Sequence, residues 1–491
     1  MTSENNATEH TPPSVWMALT PVLALIIMLG TSVAIFGDGT TGGPGQVALM
    51  AAGIIAGGIG VLQGATWLQL EHAVAESVRR AMPAIFILLM VGGLIGVWML
   101  SGTVPFLIYW GLQIISPEIF YLATALICAI VAVAIGSSWT TAGTVGVALI
   151  GIAAASGLSM GITAGAIISG AYFGDKLSPL SDSTNLAAAV TETDLFEHIR
   201  FLLWTTVPAI LFALIGFGIL SLSASAEIDE SRINAIISAL EQSYNLSPLV
   251  GLPLIVTIGL AVLRQPAFTS LLAGTVVAAI LALFTQSAVF TDADGGNGAL
   301  AALKNIWITT ANGYTASTSN AELNDLLSRG GMESMMGTIW LIISAMFFGG
   351  MMERSGSLNV LVRYLIIGVH SGGGLMRRAG VTAIGANLIA SDQYLSIVLP
   401  SRMYAEEFKE YGLQSKNLSR VLEDYGTVTS PMIPWNTCGA FMASTLGVSA
   451  FVYLPYCLFN LASPVISYAY ATMNYKVELI EDGPDAEAEA A

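Results

Sequence analysis

The chain has 491 residues, of which 54% are apolar and 10% charged, with a mean hydropathy of +0.73 and a formal net charge of −16. A soluble globule of this length carries about a quarter charged residues, so the composition excludes a soluble single-domain protein and points to an all-α polytopic membrane protein. The acidic charge gathers in tails and loops and reads as solvated surface, so no nucleic-acid partner is expected.

In chain order, residues 1–14 (MTSENNATEHTPPS) lack the basic segment that opens a cleaved signal peptide and read as a disordered tail. A bilayer span needs about 20 apolar residues. Uncharged stretches of that order run from Val15 to Phe36, Gln46 to Leu68, Pro83 to Leu100 and Ala267 to Phe290. Between Arg80 and Asp175 the only charged side chain is Glu118. Continuing the count gives roughly 10–13 transmembrane segments, with broken or re-entrant helices expected where Gly, Pro, Ser and Asn interrupt the apolar runs near 104–116, 158–190 and 411–447. The runs are continuous rather than alternating, which disfavours a β-barrel.

The predicted organisation is N-terminal helices over 15–80, a first transport repeat over 81–222, connecting helices and loops over 223–334, a second repeat over 335–472 and an acidic tail over 473–491. The repeat is weak but consistent. Ser101-Gly102 recurs as Ser355-Gly356, and the same separation carries Gly96 onto Gly350 and Ser137 onto Ser391. A separation two residues shorter carries Gly174 onto Gly426 and Ser178-Pro179 onto Ser430-Pro431. Arg79 and Arg80 precede the first copy's opening helix, whereas Arg354 and Arg363 follow the second's. Basic residues favour cytoplasmic ends, so the copies are expected to run oppositely, as in inverted-repeat transporters.

An ionisable side chain within an apolar segment is a functional candidate by default. The densest cluster is 174–185, where Asp175, Ser178, Ser181, Asp182, Ser183, Thr184 and Asn185 offer carboxylate, hydroxyl and amide oxygens suited to a hard cation such as sodium. Gly174 can end one helix, and Ser178 and Pro179 suit the N-cap and first position of the next; an ordinary surface loop is the alternative. Ser391 and Asp392 form a second candidate. A third gathers Ser430, Asn436 and Thr437, with Glu423 and Asp424 as secondary candidates, unless the carboxylates pair with Arg420 or Arg402. Ser137 and Ser138 stand at the first-copy position matching Ser391 and Asp392, with helix packing as their alternative. Asp175 could instead pair with Lys176, and Glu353 with Arg354. Cys128, Cys438 and Cys457 show no metal-ligand spacing and read as buried thiols. No P-loop or dinucleotide fingerprint is present, so neither an enzyme nor ATP-driven transport is expected, and no cofactor.

The stretches GDKLSPLSDSTNLA at 174–187, DLFEHIR at 194–200, SDQYLSIVLPSRMY at 391–404 and LSRVLEDYGTVTSPMIPWNTCGA at 418–440 resemble the NhaC-type sodium/proton antiporter family, with Ala188 and Ser391 standing where many members carry Pro and Gly. The resemblance implies an inverted-repeat transporter of the bacterial inner (plasma) membrane that exchanges Na+ for H+. It places Asp175, Asp182, Asp392 and Asn436 near the site. Proton and cation would compete for buried carboxylates, with Na+ expected at Asp182 and Asp392. The alternative is a Na+- or H+-coupled carrier of a small organic anion (malate or lactate type) or an amino acid, for which Lys176 or Arg402 would supply the basic partner. A homodimer is left open.

Overall fold

The computed structural model describes residues 12–36, 40, 42–224, 230–286, 299–366 and 371–480. Most of the tails expected at 1–14 and 473–491 lies outside these residues, but Lys476 to Ile480 are tied to the loop after Glu410: the Gln414 amide donates to the Glu478 carbonyl (3.0 Å) and the Ile480 amide to that of Gly412 (2.7 Å). That stretch is therefore not a free tail.

The N-terminal helices are α1 (Val15–Phe36), α2 (Pro44–Leu62) and the long α3 (Trp67–Leu100), which a reciprocal Thr66–Gln69 cap starts. After α4 (Thr103–Ile114) come α5 (Phe120–Ile135), then α6 (Ser138–Thr141) and α7 (Val147–Ala155), joined by a π turn over Ala142–Gly146. Next are α8 (Met160–Leu177), α9 (Asp182–Val190) and α10 (Leu195–Ala224). The connector holds α11 (Glu230–Ser243), α12 (Leu252–Val262), α13 (Ala267–Thr285), α14 (Ala299–Asn312) and α15 (Ala321–Leu327). The second half runs α16 (Met336–Arg354), α17 (Ser357–Ile366), α18 (Gly372–Ala390), α19 (Gln393–Glu410), α20 (Ser415–Val421) with a π turn over Leu422–Thr427, α21 (Thr437–Leu446), α22 (Ala450–Tyr453) and α23 (Leu458–Thr472).

Among the described residues, eight helices are long and apolar enough to cross a membrane, or ten when two bent pairs each count as one span. Ten is the low end of the expected range. The shortfall has a cause: α8, α18 and α19 direct Asp175, Lys176, Asn387, Gln393 and Ser396 inward, so a hydropathy test undercounts helices whose polar faces are buried in protein. On α10 the pattern of a soluble helix is inverted. Leu203, Val207, Leu211, Ile215 and Ile219 face outward while His198, Thr205 and Thr206 are buried, as lipid-facing helices require.

The halves share several local features. The sharp turns at Ser101-Gly102 and Ser355-Gly356 share left-handed glycines (φ 81° and 74°) and the same side-chain bond, Ser101 Oγ to Thr103 Oγ1 and Ser355 Oγ to Ser357 Oγ, each 2.8 Å. Downstream the registers differ from those expected. Gly136 (φ 75°) and Ser391 (φ 59°) are the left-handed residues that end α5 and α18, and Ser137 and Asp392 are the N-caps that follow. Ser137 therefore corresponds to Asp392, not Ser391. Likewise Ser181 caps α9 and Asn436 caps α21, so Ser178 and Ser430 do not start the helices assigned to them.

Candidate functional site

Each half contains two interruptions, and they cross. In the first, the Ser178 hydroxyl, at the C-cap of α8, donates to the Val133 carbonyl of α5 (2.9 Å). A Cβ on Gly136 would meet the Leu180 and Ser181 backbone within 2.9 Å, so only glycine lets the breaks pass this closely. Thr184 Oγ1 returns to the Lys176 carbonyl (3.2 Å) and Asn185 Nδ2 donates to the Pro179 and Ser181 carbonyls (2.9 and 2.7 Å). In the second half the Thr437 amide donates to the Ser391 carbonyl (3.0 Å), and Asn436 Nδ2 to Asn387 Oδ1 (3.0 Å). These side chains satisfy the polar groups that a broken helix exposes.

Between the four breaks lies a cavity of about 410 Å³. Ser137, Ser138, Asp175, Asp182, Asp392 and Thr437 line it, together with Arg80, Trp139, Gln393, Tyr394 and Cys438. The helical runs beginning at Ser138, Asp182, Gln393 and Thr437 all start at its wall, so four positive helix ends face it. Carboxylates occupy three of those ends, and Asn436 caps the fourth. Asp175 accepts from the Ser138 hydroxyl (2.6 Å) and amide (3.2 Å), Asp392 caps its own helix through the Leu395 amide (2.9 Å), and Asp182 is the first residue of α9. Among the described residues no three carboxylate, imidazole or thiol groups close into a metal cage. The carboxylates line a chamber, leaving hydroxyl and carbonyl oxygens to complete any cation shell.

Several predicted residues are supports rather than lining. Ser178, Ser181, Thr184, Ser391 and Asn436 hold the breaks. Ser430 lies 2.9 Å behind Gln393 Oε1, which also accepts from the Cys438 thiol (2.9 Å). Asn185 lines an adjoining cavity of about 1070 Å³, which shares Pro83, Gly136, Ser137 and Asp182 with the first. Glu423 and Asp424 do not reach the chamber. Asp424 forms a fully buried ion pair with Lys176, joined by Thr205 (2.9 Å) and Ser463 (3.1 Å), while neither Glu423 oxygen has a hydrogen-bond partner among the described residues. Lys176 thus pairs with Asp424 rather than Asp175, Asp424 pairs with neither Arg420 nor Arg402, and Glu353 pairs with Arg80 rather than Arg354. Sequence reasoning missed Arg80, which enters from a distant helix. It passed over Gln393 and Tyr394, which follow Asp392 directly.

Half-helices meeting around carboxylates, inside a bundle whose apolar surface faces outward, define a multi-pass secondary transporter. The sequence profile of the Na+/H+ antiporter family matches residues 170–474. The chain is 40% identical over 412 residues to the Na(+)/H(+) antiporter NhaC of Alkalihalophilus pseudofirmus, covering 84% of this chain and 86% of that one. It is also 36% identical over 485 residues (98% and 96%) to the arginine/ornithine antiporter ArcD of Halobacterium salinarum, and 36% identical over 441 residues (89% and 90%) to the malate-2H(+)/Na(+)-lactate antiporter of Bacillus subtilis. The chain belongs to the Na+/H+ antiporter family.

Proposed function

We propose that this transporter exchanges Na+ for H+ by alternating access, with Asp182 and Asp392 as the carboxylates for which the two ions compete. The observation that carries the reading is the convergence of Asp175, Asp182 and Asp392, with the Ser137, Ser138 and Thr437 hydroxyls, on one chamber walled by four helix starts. Sodium entering the chamber exchanges water for carboxylate and hydroxyl oxygens and displaces a proton. Protons arriving from the other side reverse the exchange, and each half contributes one crossing pair of breaks whose movement exposes the site alternately.

A second reading, coupled carriage of a small organic acid or amino acid, is favoured by one feature: a 410 Å³ chamber with Arg80 in its wall exceeds what a lone sodium ion fills. Two relatives named above are antiporters of such solutes. Dissipation of a pH gradient in proteoliposomes separates the readings. Sodium alone should collapse the gradient; a response only when malate, lactate or arginine accompanies it would replace the first reading with the second. Asp182→Asn and Asp392→Asn should each abolish the sodium response while the protein still inserts, and normal activity in both would remove them from the site.

A further inference from the structure

Among the described residues Arg80 is the only basic side chain lining the chamber. It stands on α3 and is held at the rim: one guanidinium nitrogen lies 2.7 Å from Glu353 Oε2 on α16 and 2.9 Å from Ser77 Oγ. Nearly two turns before Arg80 on α3, a Cβ on Gly350 would lie 2.9 Å from Val74 Cα, so α3 and α16 are closely packed there. The side chain is less committed. It is half-buried, and its Nε has no hydrogen-bond partner among the described residues although that atom is shut from solvent. On the inner side it lines the same chamber as Asp392. Arg80 thus pairs with Glu353 at the rim while bordering the chamber that Asp392 lines.

An empty chamber with three carboxylates is electrostatically costly, and a long flexible cation hinged at its wall can offset that cost without leaving the protein. We propose that Arg80 is a tethered counter-cation: it turns from Glu353 to Asp392 when the transported cation leaves, and cation entry sends it back to Glu353. This rests on Asp392 being a cation ligand. Arg80 and sodium then compete for Asp392, and Glu353 competes with Asp392 for Arg80.

The consequence is a sign that a merely structural ion pair cannot produce. If the pair only braces α3 against α16, Arg80→Gln and Glu353→Gln remove the same interaction and act alike. If Arg80 is the counter-cation, they act oppositely. We expect Arg80→Gln to lower the half-saturating sodium concentration for pH-gradient dissipation in proteoliposomes, and Glu353→Gln, which frees Arg80 for the chamber, to raise it. Each change should be about fivefold or more, the lower end of ordinary coupling between sites. The double variant should follow Arg80→Gln, and Arg80→Lys, which keeps the charge, should stay near the unmodified protein. Shifts in the same direction, or no shift, overturn the proposal. Should Arg80→Gln fail to fold, Glu353→Gln still decides: an unchanged or lowered sodium requirement overturns it. Absence of any sodium response in the unmodified protein would instead overturn the sodium reading, and the tethered cation with it.

Discussion

At Ser391 the backbone, rather than the hydroxyl, accounts for the residue's place beside the chamber. It is buried beside Asp392, but its hydroxyl has no hydrogen-bond partner among the described residues and it does not line the chamber. Its backbone is what matters: φ is 59°, where Gly136 serves in the other half. A left-handed conformation costs a residue with a side chain about 1–2 kcal/mol. Ser391→Gly should therefore raise the thermal midpoint in detergent and leave sodium transport intact, and Ser391→Val should lower it. A loss of sodium affinity in the glycine variant would restore the serine to the site. The Lys176 pairing was illegible for a simpler reason. Adjacent residues on a helix do not face each other, so Asp175 turns to Ser138 while Lys176 turns to Asp424 in another half of the chain. Removing one partner strands a buried charge at a cost of about 3–5 kcal/mol. Asp424→Asn and Lys176→Met should each sharply reduce the folded yield, and the double replacement Lys176→Met with Asp424→Leu should recover much of it. Equal loss in all three would mean that the pair's packing, not its charge, is what counts.

At the scale of elements, the broken helices were legible and their caps were not. Polar interruptions in apolar runs marked one arm of each crossing, at 158–190 and 411–447, because free backbone groups in a membrane need polar partners; the other arms, at Gly136 and Ser391, were not marked as breaks. The Ser-Pro motif misled because an extended residue before proline suits the end of one helix as well as the start of the next. Ser178 adopts ψ 129° and ends α8, and the next helix waits for Ser181. Gly174 was read as a helix end but sits inside α8, where with Gly170 it forms a small-residue stripe against α5. A Cβ would meet the Ala125 carbonyl oxygen at 2.2 Å from Gly170 and that of Ala129 at 2.5 Å from Gly174. Nothing in one sequence separates a glycine that stops a helix from one that lets a second helix approach. Gly170→Leu and Gly174→Leu should push α5 from α8, displacing Ser138 from Asp175, so that both the folded yield and the residual sodium affinity fall. A variant that loses neither would show that α5 can shift without disturbing the chamber.

At the scale of the molecule, the two halves and the placement of positive charge together predict how the chamber opens. The larger cavity that adjoins it carries Arg79 and Arg264 in its wall, and basic residues favour the cytoplasmic side, so we expect this cavity to face the cytoplasm. Asn185, the fourth residue of α9, lies in that cavity; its counterpart by position, Ala440, the fourth residue of α21, is buried and borders a separate cavity of about 260 Å³. If the halves run in opposite directions, these equivalent positions face opposite compartments, and exchanging the two arrangements exposes one as it closes the other. In a background with Cys128, Cys438 and Cys457 replaced, Asn185→Cys should react with a membrane-impermeant maleimide from the cytoplasmic side only. Ala440→Cys should react, more slowly, from the opposite side only. Because alternating access couples cation occupancy to which side is open, adding sodium should change the two rates in opposite senses. Labelling of both positions from one side would mean that the halves are parallel, and the alternating movement inferred from their crossing breaks would fall with that result.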